Sequence, residues 1–173
     1  MALNDFGISS PQPIAWQEKW SGGWLVESHY LCAFQEFEHD ASALQDADCE
    51  DRDEKLEMLG QAVGRMHEAG LLHLDINQGN WLFSRSGEGR WELDLIDNNR
   101  LRRRTVSLGR GVKCLLQLEF EGEVQTRLLH AYADSRGFER EACVRTFDTS
   151  KGRYELKWRV KNATRPWRKK IGL

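Results

Sequence analysis

Apolar residues recur at helical spacing in two stretches of the chain and cluster in short runs elsewhere, which separates helices from strands. Leu56, Leu59, Val63 and Met66 form a one-sided stripe that predicts a helix over 52–69. Asp51 stands at its cap position with Glu54 three residues on, the spacing of a capping box, and Asp53 adds charge that suits the helix dipole. Gly70 supplies a left-handed stop. A second helical pattern covers 110–135 through Val112, Leu115, Leu116, Phe120, Val124, Leu128, Leu129 and Tyr132, and ends at Ser135-Arg136-Gly137.

Strand signals come in pairs. Ile14–Trp20 and Trp24–Ser28 flank Gly22-Gly23, which predicts a hairpin. Asn80–Ser84 and Trp91–Asp97 flank the turn residues Ser86-Gly87-Glu88-Gly89 and predict a second one. Residues 1–15, with Pro11 and Pro13, read as a lead-in without regular helix. The acidic stretch 34–50 reads as a loop with some helix. Val144–Trp158 shows some alternation, and the tail around Arg165, Arg168, Lys169 and Lys170 is basic. The elements predict an α+β fold, mostly helical, with short antiparallel hairpins. The pattern contains no internal repeat.

With 173 residues, 40% hydrophobic, the chain suffices for one core and is short for two. No apolar run approaches the ~20 residues that span a bilayer. The N-terminus has neither the basic flank nor the apolar stretch of a signal peptide, so a cytoplasmic location is expected. Cys32, Cys49, Cys114 and Cys143 form no C-x-x-C pair and read as reduced structural thiols. The net charge of −2 conceals an asymmetry: 6 Lys and Arg face 19 Asp and Glu in residues 1–99, against 19 and 8 in residues 100–173. The basic half either faces an anionic partner or attracts the acidic half within the fold.

One segment concentrates candidate chemistry. Between the stop of the first helix and the second hairpin, His73, Asp75 and Asn80 have the spacing H-x-D-x-x-x-x-N, and the second hairpin ends at Asp97, seventeen residues after Asn80. This is the order of parts in a protein-kinase catalytic loop and its following metal-binding aspartate. Phosphoryl transfer needs an oriented hydroxyl and neutralised phosphates more than covalent help. Asp75 would accept and orient the acceptor hydroxyl, and Asn80 and Asp97 are oxygen donors suited to Mg²⁺. His73 would shape the loop by hydrogen bonds, and Leu82 would floor an adenine ring. Taken singly, each polar residue has a plain alternative in turn chemistry. It is their order on matching elements that points to a site.

Over roughly residues 5–135 the chain resembles the kinase-like lipopolysaccharide kinases, which phosphorylate heptose or Kdo sugars of the inner core. The resemblance is carried by Phe6-Gly-Ile-Ser-Ser-Pro-Gln-Pro-Ile-Ala15, Trp24-Leu-Val-Glu27, the helix at 52–69, His73-Leu-Asp75, Asn80 and Ile96-Asp97-Asn-Asn-Arg100. It implies a protein-kinase-like fold: remnant N-lobe strands and hinge in residues 1–33, and a helical C-lobe with a basic tail in residues 34–173. It also implies ATP and Mg²⁺ as cofactors, with the adenine edge bound near Glu27 to His29. The expected partner is a core sugar or another anionic glycolipid, met at the inner membrane through the basic half, and not a nucleic acid. The chain departs from the kinase pattern in having no G-x-G-x-x-G, and neither Lys19 nor Lys55 has the context of the phosphate-binding lysine. Lowered ATP affinity and turnover are therefore expected of this short form.

Two other readings belong to different classes. Gln78-Gly79-Asn80 resembles the P-G-N of aminoglycoside and choline kinases, although their cationic substrates suit an acidic pocket. A catalytically inactive pseudokinase scaffold fits the missing glycine-rich loop and lysine, whereas retention of Asp75, Asn80 and Asp97 counts against it.

Overall fold

The computed structural model describes residues 3–170, apart from the side chains of 4, 155 and 157–170. The elements in chain order are β1 (Pro13–Ser21), β2 (Trp24–Cys32), β3 (His39–Asp40), α1 (Arg52–Glu68), β4 (Leu71–His73), β5 (Trp81–Arg85), β6 (Trp91–Leu95), β7 (Leu101–Arg103), α2 (Leu108–Leu115), α3 (Gly122–Ser135) and α4 (Arg140–Lys170). The strands form three small antiparallel sheets, β1-β2, β3-β5-β6 and β4-β7.

The core is built on α1. Leu56, Leu59, Val63 and Met66 are all buried, as their spacing predicts. On another side of the helix, Gly60 and Gly64 let α3 approach until a methyl group at Gly60 would lie 2.5 Å from Ala131 Cβ. In the β5–β6 hairpin, Trp81 and Phe83 sit across from Leu95 and Leu93 and join the same core. Leu82, on the other face of that pleat, pairs with Asp94 and Asp40.

The β1–β2 hairpin turns at Gly22-Gly23, both at positive φ, with Ser21 opposite Trp24. That is the two-residue turn the glycine pair predicts. The second strand runs four residues further than its apolar run suggests, to Cys32.

Three local expectations need correction. Asp51 does not cap α1 through its side chain: it is left-handed at φ 50 and its carboxylate accepts from Trp91 Nε1 at 2.9 Å. The backbone carbonyl of Asp51 takes the first helical N–H, from Lys55, instead. The 110–135 pattern is two helices. A 3₁₀ turn at Leu116–Leu118 and a left-handed Glu119 separate α2 from α3, so Leu118 and Phe120 are both buried while Glu119 stays exposed. Finally, residues 144–158 are helical, within α4. Its buried stripe of Cys143, Phe147 and Ser150 has helical spacing, which the weak alternation obscures. The side chains of Arg165, Arg168, Lys169 and Lys170 lie outside the described residues.

Candidate functional site

The loop between β4 and β5 and the turn after β6 meet because their flanking strands are tied together. β7 pairs with β4, His73 opposite Leu101, which brings the segment after Asp97 alongside the segment before Asp75. The Leu74 N–H donates to the Arg100 carbonyl at 3.2 Å, and the Ile96 N–H donates to the Asn80 carbonyl at 2.9 Å.

His73 is the link between the parts. Its ring is fully buried, Nδ1 accepts the Asp75 N–H at 3.1 Å, and Nε2 donates to the Asp97 carbonyl at 3.0 Å. Accepting at one nitrogen and donating at the other fixes a neutral tautomer. Burial accordingly pushes the His73 pKa below its ordinary value, against the opposing pull of the Asp97 carbonyl and the nearby Asp97 and Asp75 carboxylates. The ring therefore holds the loop. The backbone carbonyl of His73 accepts from Cys114 Sγ at 3.3 Å, so α2 supports the loop from behind.

Asn80 is buried, and its amide nitrogen donates to the Asp75 carbonyl at 2.8 Å. That bond engages the amide nitrogen, and no described donor meets the amide oxygen. Asp97 is left-handed at φ 53, a conformation that costs a non-glycine residue of order 1 kcal/mol, and it sits directly after the β6 strand. One of its carboxylate oxygens accepts from Asn99 at 2.8 Å, and no described donor meets the other. Asp75 is half-buried, pairs with Arg100 at 3.1 Å and has Asn77 beside it at 3.4 Å. His73, Asp75, Asn80 and Asp97 thus form one bonded constellation.

A cavity of about 480 Å³ opens beside Asp97, between the turn Ile96–Asn99 and one face of the β1–β2 hairpin, where Trp16, Ser28 and Tyr30 stand. His29 lies on its wall and pairs with Glu27 at 2.8 Å. Both are mid-strand, opposite Gln17 and Lys19, and not at the point where the chain leaves the hairpin, because β2 continues to Cys32. Ile96, rather than Leu82, supplies the apolar wall from the β6 side, since Leu82 is buried one strand back. Lys19 sits on the exposed hairpin opposite Glu27. Lys55 is committed elsewhere: its buried ammonium bonds His39 Nε2 at 2.9 Å and the Glu50 carbonyl at 2.7 Å, over the Trp91 ring.

Asn77, Asn98 and Asn99 are site neighbours that the motif spacing misses, although all three adjoin its residues. Trp16 and Tyr30 needed the hairpin register, which the sequence does not print. Two oxygens from an amide and a carboxylate fit a hard cation that keeps waters and phosphate oxygens in its remaining positions. They do not amount to a cage, and the described residues contain no cluster of three or more His, Cys, Asp or Glu placed to hold a metal alone.

The sequence matches the model of the lipopolysaccharide kinase (Kdo/WaaP) family over residues 1–129. The chain belongs to that family. A comparison with curated protein sequences found no significant match. Among solved structures, the chain is similar to one described as WaaP in complex with acyl carrier protein, with a TM-score of 0.57 and 18% identity over 90% of this chain and 70% of that one. At that identity the likeness establishes the fold, which is α+β and kinase-like. Kdo/WaaP kinases are ATP-dependent phosphotransferases, and a kinase-like function on the lipopolysaccharide core follows from membership.

Proposed function

We propose that the chain moves the γ-phosphate of ATP to a heptose or Kdo hydroxyl in the cleft between the β1–β2 hairpin and the turn Ile96–Asn99, to which the loop 73–80 is bonded. The observation that carries this reading is the bonded path from Asp75 through His73 to Asp97, with Asn80 closing it. That path links the carboxylate read as the acid-base group to the two residues read as metal donors, with Arg100 and Asn77 on the Asp75 carboxylate and Asn99 on that of Asp97.

In this reading, Asp75 accepts a hydrogen bond from the acceptor hydroxyl and aligns its oxygen with the phosphate; such positioned proton acceptance contributes roughly 10²–10⁴-fold. Arg100, now paired with that carboxylate, yields to the incoming hydroxyl. Asn80 and Asp97 would hold Mg²⁺, whose chemistry is to neutralise the triphosphate oxygens. Trp16, Tyr30 and Ile96 exclude water from the nucleotide, with the β2 backbone near His29 on the adenine side. Lys55 is sequestered, so nucleotide affinity rests on the metal and the cavity walls and is low.

The exposed Arg102, Arg103, Arg104 and Arg110 follow directly on the site and suit an anionic glycolipid acceptor. Peripheral contact with the inner membrane is the corresponding proposal for this basic half. No helix of the described residues is long and apolar enough to cross a membrane.

The test is transfer of labelled phosphate from ATP to inner-core oligosaccharide, with millimolar nucleotide and Mg²⁺. Transfer by the native chain that disappears in Asp75→Asn is expected. Equal transfer by Asp75→Asn would refute the role given to Asp75. Transfer to amino alcohols or aminocyclitols in place of the oligosaccharide would refute the acceptor class.

A further inference from the structure

The α2 helix has a second flank, away from Cys114 and the catalytic loop, and there it meets α4 around a cavity of about 390 Å³. The wall carries three cations, Lys113, Arg145 and Arg153, and three hydroxyls, Thr146, Thr149 and Ser150. Among the described residues, no carboxylate lines it. Helical spacing explains why: at about 100° per residue, Glu141 and Asp148 fall roughly 100° or more around α4 from the centre of the lining face.

The cations are uncompensated. Arg85, Arg90, Arg127, Arg136 and Arg140 each pair with a carboxylate. Among the described residues, Lys113, Arg145 and Arg153 have no such partner. Ser150 adds an independent sign. It is only 8% exposed, and no described group bonds its hydroxyl. Thr146 and Thr149 differ: they donate to the Ala142 and Arg145 carbonyls at 2.6 and 2.8 Å. A hydroxyl with no described partner, on a largely buried residue in a hollow with three unpaired cations, is free to donate to an anion placed there.

We propose that this cavity is a binding site for a phosphate group, held by Lys113, Arg145 and Arg153 at its rim and by the Ser150 hydroxyl at its base. Two guanidinium forks and an ammonium match the several oxygens and double charge of a phosphate better than the single face of a carboxylate. Among the described residues, the wall has no aromatic side chain to stack a base. Gly109 at the mouth, where an added methyl group would meet nothing within 4 Å, leaves room for whatever the phosphate is attached to. The source is either a phosphorylated lipid headgroup or a soluble phosphate ester.

The test is calorimetric titration of the full chain with inorganic phosphate, with ionic strength held constant by chloride. Binding with a dissociation constant of about 1 mM or tighter is expected, weakened about tenfold by Arg145→Ala and by Lys113→Ala. Arg90→Ala, a matched loss of charge on the β5–β6 turn, should leave it unchanged. Arg145→Lys, the least disruptive substitution, should weaken it by an intermediate factor, so the comparison survives if an alanine variant fails to fold. Co-sedimentation with phosphatidylcholine vesicles containing phosphatidic acid, reversed by free phosphate and lost in Arg145→Ala, identifies a headgroup. Phosphate binding without vesicle retention identifies a soluble ester. No binding by the native chain, or binding that all four variants share, would overturn the proposal. Neither readout involves phosphoryl transfer, so the result stands apart from the fate of the kinase reading.

Discussion

The two walls of the cleft are made in opposite ways. The loop wall, the turn Ile96–Asn99 with the loop 73–80 bonded behind it, hangs on the core: His73 and Trp81 are fully buried and Asn80 nearly so. The hairpin wall is exposed along its whole length to Leu31, with Trp16 77% and Trp24 79% accessible. Isolated hairpins are marginal in water, whereas strands packed on a helix are stable. The groups that must hold a fixed geometry are therefore placed where packing over-determines them. The hairpin contributes surface, not precision, so substitutions on the two walls should separate folding from binding.

The largest contrast is between two tryptophans. Trp81→Ala should lower unfolding free energy by roughly 3–5 kcal/mol, while Trp16→Ala should change it by less than about 0.5 kcal/mol and weaken ATP binding; denaturant titration measures both. Equal destabilisation by the two would erase the distinction drawn here. Next in size, Asp75→Asn should reduce kcat by roughly 10²–10⁴ with nucleotide binding retained, read by steady-state kinetics beside calorimetry. His73→Ala removes two hydrogen bonds from a buried site and should cost about 2–3 kcal/mol of stability. It should also lower Mg²⁺-ATP affinity, because Asp97 loses its tether.

Acid should act on the same framework. His67 is buried against Tyr132, with Nδ1 3.0 Å from the phenol oxygen, and burial together with nearby Arg136 pushes its pKa down to about 3. His73 is shifted in the same direction. Because both titrate lower in the folded chain than in the unfolded one, the unfolded chain takes up protons first as pH falls. Their stabilising effect is complete above about pH 6.5 and is lost progressively from there towards pH 3. Unfolding midpoints measured from pH 7 to pH 4 should fall, and His67→Gln should flatten the slope. Arg100→Ala should also act weakly: the guanidinium is exposed and only its partner Asp75 is half-buried, so the stability change should stay under about 1 kcal/mol.

Much of the loop wall was legible in the sequence because it is local. Helix, stop, loop and hairpin follow one another between residues 52 and 97, and each is announced by its own spacing or turn residues. Gly70 is left-handed and Gly22-Gly23 turn the hairpin as their chemistry requires. What could not be read depends on partners distant along the chain. Asp51 looked like a cap because its sequence neighbours suit one, but Trp91, forty residues on, takes its carboxylate. The break between α2 and α3 is hidden because the apolar count runs on through it. Ile96, and not Leu82, borders the cavity because the strand pairing decides which face each residue presents. The uncompensated cations between α2 and α4 were visible only as an excess of charge, with no sign of which ones gather.

Thermal unfolding with ATP, with and without Mg²⁺, in the native chain, Asp97→Ala and Asp75→Ala is the most direct test of the nucleotide site. Stabilisation should need Mg²⁺, disappear in Asp97→Ala and persist in Asp75→Ala. Undiminished stabilisation of Asp97→Ala would contradict the role given to Asp97.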